Sequence, residues 1–366
     1  MAQNERLKAL SDAGVAVWLD QIHREMIEGG DLEAMVDEKS LRGETSNPAI
    51  FEKAILGGDA YDDKIERLAG EGKDPTDAYL QIAIEDVQAA CDVMRTVYDE
   101  SDHEDGYVSL EVEPSVAHDT EATTKQANEL WESVDRPNVM IKIPGTTEGV
   151  QAIEDATAEG INVNVTLLFS VESYENIAEA YIKGMERRKE AGESLDVHSV
   201  ASFFVSRVDS EVDKRLADLD REDLIGRAAI ANAQAAYQSF KKLFHGDRFA
   251  ELKEAGAPVQ RPLWASTGVK DERYEDTKYV AGLVAPETVN TMPLDTLEAC
   301  ADHLEVDGAT ADRDPSDTLS ELADAGIDMT DVTQTLLDEG IEKFVEPFDK
   351  LIDGLKEQMS EAGQKA

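Results

Sequence analysis

The sequence predicts an α/β fold, a single (β/α)8 barrel with extra terminal helices, and three observations carry that expectation. Eight short strand-like runs alternate with longer amphipathic segments from one end of the chain to the other, the pattern of a parallel sheet with crossover helices. Within several of those runs polar residues recur at every second position, which gives each strand one polar face and one apolar face. No Gly/Ser linker, low-complexity tract or internal repeat divides the 366 residues, so one domain over residues 1–366 is the simplest organisation.

The first run, Val15 to Asp20, is apolar and ends in a carboxylate; the second, Ser40 to Asn47, stops at Pro48. In the third, Tyr107 to Glu113, Ser109, Glu111 and Glu113 share a face opposite Val108, Leu110 and Val112. The fourth, Val139 to Pro144, places Met140 and Lys142 opposite Val139, Ile141 and Ile143. The fifth, Ile161 to Phe169, sets Asn162, Asn164 and Thr166 against Ile161, Val163, Val165 and Leu167. Val200 to Ser206, Pro262 to Ser266 and Val289 to Met292 complete the set. Ser170 reads as the N-cap of a helix whose Tyr174, Ile177, Ala178, Tyr181, Ile182 and Met185 keep helical spacing. The Asp- and Ala-rich stretch from Ala301 to Pro315 reads as a loop or weak helix. Beyond it, a terminal helix carrying Phe344 and Phe348 is expected to pack on the barrel and to close over its mouth.

Composition narrows the function. The chain has 79 acidic and 35 basic residues, a net charge of −44, which argues against nucleic acid as a partner because phosphates would be repelled. The acidic residues are spread along the whole length, which suggests a solvated acidic surface suited to a salt-rich, halophilic cytoplasm. No apolar run approaches the roughly 20 residues of a membrane span, and the opening MAQNERLKALSDAG lacks the apolar stretch of a secretory signal. A cytoplasmic protein with no membrane partner is expected, either monomer or homodimer. Cys91 and Cys300 form no CxxC pair, and the six histidines (His23, His103, His118, His198, His245, His303) stand singly, so neither a disulfide framework nor a zinc site is expected. Gly145 begins no GxGxxG motif, which leaves a dinucleotide fold without support.

The chemistry centres on Lys142, a lysine that interrupts an otherwise apolar strand. An edge strand with the lysine in water would look the same locally. The neighbouring runs, whose polar faces carry carboxylates, amides and hydroxyls, favour an enclosed barrel interior instead. There a neutral amine can attack a ketone to form a protonated imine that accepts electrons. A reference pKa of about 10.4 has to fall for that, and partial desolvation acts in the required direction. Imine formation also needs a proton for the departing hydroxyl, a task for Glu111 and Thr166.

Five segments, Thr45-Ser-Asn-Pro48, Ser109-Leu-Glu-Val112, Ile141-Lys-Ile-Pro-Gly-Thr146, Gly160 to Ser170 (GINVNVTLLFS) and Ser202-Phe-Phe-Val-Ser-Arg207, followed by Ala265 to Lys270 and Asn290-Thr-Met-Pro293, resemble the successive motifs of the transaldolase family, in its long bacterial type. The resemblance implies a class I aldolase-type barrel that moves a dihydroxyacetone unit from a ketose phosphate to an aldose phosphate, without metal or organic cofactor. By that resemblance Lys142 forms the imine, Asp20 takes the proton from the donor's C4 hydroxyl, and Glu111 with Thr166 handles protons through a water. Asn47, Asn164 and Ser202 hold the donor's hydroxyls, and Arg207 binds phosphate. Ser266 and Lys270 are further phosphate candidates; some family branches carry an arginine close to that serine, where this chain has Ser266-Thr-Gly-Val-Lys270. Polyols are fixed by directional bonds from amides and hydroxyls, and a guanidinium matches phosphate with two parallel bonds.

Three rival readings share parts of this pattern. A fructose 6-phosphate aldolase would use the same lysine and release its product; chain length and Glu111 favour transfer. A sugar-phosphate-binding protein would keep the barrel without turnover. A metal-dependent aldolase would need a histidine cluster, and EDTA is expected to leave activity unchanged.

Overall fold

The computed structural model describes residues 3–365. Eight parallel strands close into a ring: β1 (Val15–Leu19), β2 (Leu41–Glu44), β3 (Tyr107–Glu111), β4 (Val139–Pro144), β5 (Val163–Leu168), β6 (Ser199–Phe204), β7 (Arg261–Ala265) and β8 (Thr288–Met292). Each pairs with its neighbour in sequence, and β8 closes on β1. All eight expected strands are present, and β4 has the expected bounds. Several others end earlier than their polarity pattern suggests. Asp20, Thr45 to Asn47 and Ser266 lie just past the ladder, where parallel strands give way to the loops that build the mouth of such a barrel.

Two expectations need correction. Glu113 does not share the interior with Glu111: the chain has left the strand, and Gln126 receives the Glu113 backbone N–H at 2.7 Å and donates to its carboxylate at 2.9 Å. Leu167 does not continue the outward row of Val163 and Val165. Val165 pairs with Ala201 and Leu168 with Phe203, so Thr166 and Leu167 together oppose Ser202. This is a bulge of one extra residue, and Leu167 takes the left-handed conformation, φ 61°, that it requires.

Packing explains why the polar layer sits high in the ring. Trp18 shares the inner face with Asp20 and is fully buried. It fits only because β2 offers Gly43, where a Cβ would lie 2.4 Å from the indole Cε2. With Met140, also buried, Trp18 fills the interior beneath the lysine. Deleting such an indole from a core costs on the order of 3–5 kcal/mol.

The helices carry their own start signals. Ser170 caps Val171–Ala191 through Ser173 N, as its spacing predicts, and Asn47 caps Pro48–Leu56 with proline in the first turn. The Ala301 to Pro315 stretch is the end of helix Leu294–His303, a loop and one short turn, Thr310–Asp312. The terminal helix Met329–Lys365 lies across helices Pro48–Leu56, Asp62–Gly70 and Pro75–Glu100 and touches β5. There Gly340 comes so close that a Cβ would lie 3.2 Å from Leu167 Cδ2 and 3.4 Å from the Phe169 ring. Among the described residues, no helix is long and apolar enough to cross a membrane.

Candidate active site

Closing the ring aligns three side chains that are far apart in sequence. Glu111 on β3 pairs in register with Lys142 on β4, which pairs in turn with Asn164 on β5. Since period two sends all three inward, they form one polar layer above Trp18 and Met140. Lys142 is only 4% exposed; its Nζ donates to the Ser46 carbonyl at 3.0 Å and to Glu111 Oε2 at 3.2 Å. The aromatic ring of Phe344, from the terminal helix, has its centroid 5.4 Å from the same nitrogen.

A buried ion pair is a poor source of stability, because desolvating both charges offsets their attraction. Its persistence here fits a chemical use better than a structural one. Burial pushes the Glu111 carboxyl up to about 7, against the pull of the Lys142 charge and hydrogen bond, while nearby Asp20 pushes it further up. That value lets the group both hold and release a proton near neutrality.

Asp20 follows β1 at the barrel mouth. Thr45 Oγ1, just past β2, donates to its Oδ1 at 2.6 Å and lies 2.7 Å from Thr291 Oγ1 of β8, which braces Thr45 in turn. Burial raises its pKa, and Lys142, the Thr45 hydrogen bond, Arg207 and Lys270 all oppose that rise. The Thr166 hydroxyl is buried and makes no hydrogen bond among the described residues.

Asn164 is held at both ends of its amide. Ser202 Oγ donates to its Oδ1 at 2.7 Å, and its Nδ2 donates to Ser109 Oγ at 2.9 Å. Asn47 spends its Oδ1 on the helix cap, accepting from Ile50 N at 3.1 Å, which leaves its Nδ2 for the cavity.

Arg207 stands in the first turn of helix Ser206–Asp218, its guanidinium 5.3 Å from the Phe204 ring. Asp209, two residues on, does not pair with it. Asp209 instead accepts from Lys278 at 2.8 Å, Tyr279 at 2.9 Å and Ala229 N at 2.7 Å. Arg207 Nη1 is buried without a hydrogen-bond partner among the described residues. Ser266, φ 55°, brings its hydroxyl to 3.0 Å from that of Ser206, and Lys270 lies exposed at the rim.

These groups surround one cavity of about 390 Å³. Asp20, Asn47, Lys142, Thr166, Ser202, Arg207, Ser266 and Lys270 line it, while Glu111 and Asn164 sit one contact deeper, behind Lys142 and Ser202. Thus the fold brings all ten expected residues together. It adds Thr45 and Thr291, which stand inside the quoted TSNP and NTMP motifs and were not singled out. Lys53, Phe204, Lys343 and Phe344 also line the cavity. Lys53 and Lys343 lie on helices, where only the closed structure shows which turn faces inward. Of the lining residues five are basic (Lys53, Lys142, Arg207, Lys270, Lys343) and one, Asp20, is acidic.

The chain is similar to known proteins along almost its whole length. The sequence model of the family described as Transaldolase/Fructose-6-phosphate aldolase matches residues 17–355. The chain is 49% identical over 369 residues to a transaldolase of Mycolicibacterium smegmatis, covering 99% of this chain and 100% of the relative. It is 48% identical over 371 residues to a transaldolase of Mycobacterium tuberculosis, covering 99% and 100%. With a transaldolase of Thermobifida fusca it shares 49% over 362 residues, covering 97% and 98%. An enclosed lysine at the heart of an eight-stranded barrel and full-length likeness to these enzymes lead to one conclusion: the chain belongs to the transaldolase/fructose-6-phosphate aldolase family and is a transferase of its transaldolase branch.

Proposed function

We propose that the cavity transfers a dihydroxyacetone unit from a ketose phosphate, sedoheptulose 7-phosphate or fructose 6-phosphate, to glyceraldehyde 3-phosphate or erythrose 4-phosphate. The covalent carrier is an imine on Lys142. The observation that carries this reading is the buried Lys142 amine, 3.2 Å from a carboxyl whose pKa is about 7, beneath a cavity rimmed by cations.

The amine, having given its proton to Glu111, attacks the donor's C2 carbonyl, and the resulting hydroxyl leaves as water once protonated. Glu111 returns a proton for that step through a water, with the free Thr166 hydroxyl as relay. Asp20 takes the proton of the C4 hydroxyl, the C3–C4 bond breaks, and its electron pair moves into the iminium to leave an enamine. The first aldehyde departs. An acceptor aldehyde then bonds through its carbonyl carbon to C3, Asp20 returns the proton to the new hydroxyl, and water hydrolyses the imine. Asn164, Ser202 and Asn47 hold the donor's hydroxyls, and Arg207, with Ser266 and Lys270, holds the phosphate.

We infer further that the enzyme works in a salt-rich cytoplasm, where counterions screen the self-repulsion of a chain with 79 acidic residues against 35 basic ones. Borohydride reduction in the presence of fructose 6-phosphate tests the imine: a three-carbon adduct on Lys142, read by peptide mass spectrometry, is expected. An unlabelled lysine in protein that binds the sugar would leave a binding role only.

A further inference from the structure

We propose that Phe344 decides whether the bound three-carbon unit is passed on or lost, by covering the enamine on its open side. This rests on the imine reading of Lys142.

Three observations carry it. The ring stands 5.4 Å from the Lys142 nitrogen and is 8% exposed, so it forms an apolar wall directly against the reacting amine. The helix that brings it is held on both sides of that position. On one side Gly340 seats against Leu167 and Phe169. On the other, Phe348 packs edge-on against Tyr79 at 5.6 Å, and Tyr79 against Phe51 at 5.7 Å. Finally, the hydrogen bonds of the amine go to Glu111 and the Ser46 carbonyl, and Asp20, Thr166 and Ser202 line the same cavity together with the apolar Ile50 and Phe204. Of the apolar groups there, Phe344 is the one whose ring face lies against the amine itself.

The chemistry gives that wall a consequence. After C3–C4 cleavage, the enamine holds an electron pair that C3 can spend in two ways. Attack on an aldehyde forms a C–C bond, and the aldehyde oxygen takes its proton from Asp20. Capture of a proton from water forms a C–H bond instead and leaves hydroxide, and the iminium is then hydrolysed to dihydroxyacetone and the free amine. Both branches restore Lys142. Only the second requires water beside C3, and a ring over the imine keeps it out. The same ring steadies the iminium charge through its π face. Phe344 is therefore a specificity-determining residue for transfer against release.

The test compares wild type with Phe344→Ala and Phe344→Leu. Glyceraldehyde 3-phosphate formation from fructose 6-phosphate is measured with and without erythrose 4-phosphate, and borohydride labelling of Lys142 is followed in parallel. The ratio of release to transfer is expected to rise about tenfold in Phe344→Ala, a change of one decade in relative barrier. Phe344→Leu, which keeps an apolar cover, is expected to shift it less. Both variants should still be labelled at Lys142. An unchanged ratio, with both branches falling together, would overturn the proposal; should Phe344→Ala fail to fold, Phe344→Gln, which keeps bulk but is polar, is read for the same rise in its place. Absence of label in the wild type would overturn the imine reading itself, whatever the ratio.

Discussion

The cavity of this protein and the chain as a whole have opposite electrical characters. The chain as a whole carries more than two acidic residues for each basic one, yet the cavity has five basic residues and one carboxylate along its lining. A cavity that merely sampled the composition would be negative. On the reading proposed above, the acidic surplus answers to a salt-rich solvent and the cavity charge to an anionic substrate, two separate demands. Changes in the cavity should therefore alter chemistry with little effect on folding, and changes in the ionic medium should alter folding with little effect on chemistry.

The strongest challenge to that division is Lys142→Met. Turnover is expected to fall on the order of 10⁴-fold or more, as for loss of any covalent nucleophile. Its melting temperature at pH 7 should not fall, because Glu111 can take up a proton once its cationic partner is gone. A clear loss of stability with turnover retained would place Lys142 on the structural side of the comparison. Next comes Asp20→Asn, expected to lower kcat about 10²- to 10⁴-fold while borohydride still traps donor on Lys142. Loss of trapping along with turnover would show that Asp20 acts before bond cleavage. Arg207→Ala should raise KM for phosphorylated donors about 10- to 100-fold, the range of one lost charge-assisted contact, with a much smaller change in kcat. An unchanged KM would remove it from the phosphate site.

Two smaller effects concern stability. The Glu111 carboxyl is raised from 4.5 to about 7 in the folded protein, so between those values the folded state binds more protons than the unfolded state. Stability from this group is complete below pH 4.5 and declines as pH rises to 7, by up to about 1.4 kcal/mol per pH unit. Denaturant titrations of wild type and Glu111→Gln across that window should diverge by this slope; parallel curves would show that burial does not hold the proton. Finally, molar KCl should raise the melting temperature by screening repulsion within a chain of net charge −44, and a flat or falling response would count against the proposed salt adaptation.

Much of this architecture was legible in the sequence because a barrel repeats one rule eight times. Alternation in Tyr107 to Glu111, Val139 to Pro144 and Val163 to Thr166 assigned Glu111, Lys142, Asn164 and Thr166 to a common interior, and the closed ring brings them together. The rule failed where strands end. Glu113 keeps the period and points elsewhere, since hydrogen bonding to Gln126 governs it once the ladder has stopped. Lys53 and Lys343 were beyond the rule altogether, and Phe344 was expected only as part of a terminal helix closing over the mouth. Their contribution depends on how helices rotate and cross over the mouth, which the packing of helix on helix decides rather than any period in their own sequence.

The surplus residue in β5 ties these two levels together. Were Leu167 removed, Val165 to Leu168 would match Ala201 to Phe203 one for one and Thr166 would keep its inward aim. The strand would gain regularity, and the molecule would lose the knob on which Gly340 rests. A backbone irregularity of one residue thus serves as the footing for the only aromatic side chain that reaches the lysine from outside the ring among the described residues, so the proposed cover of the imine stands on an extra residue that the sheet's own pairing does not need.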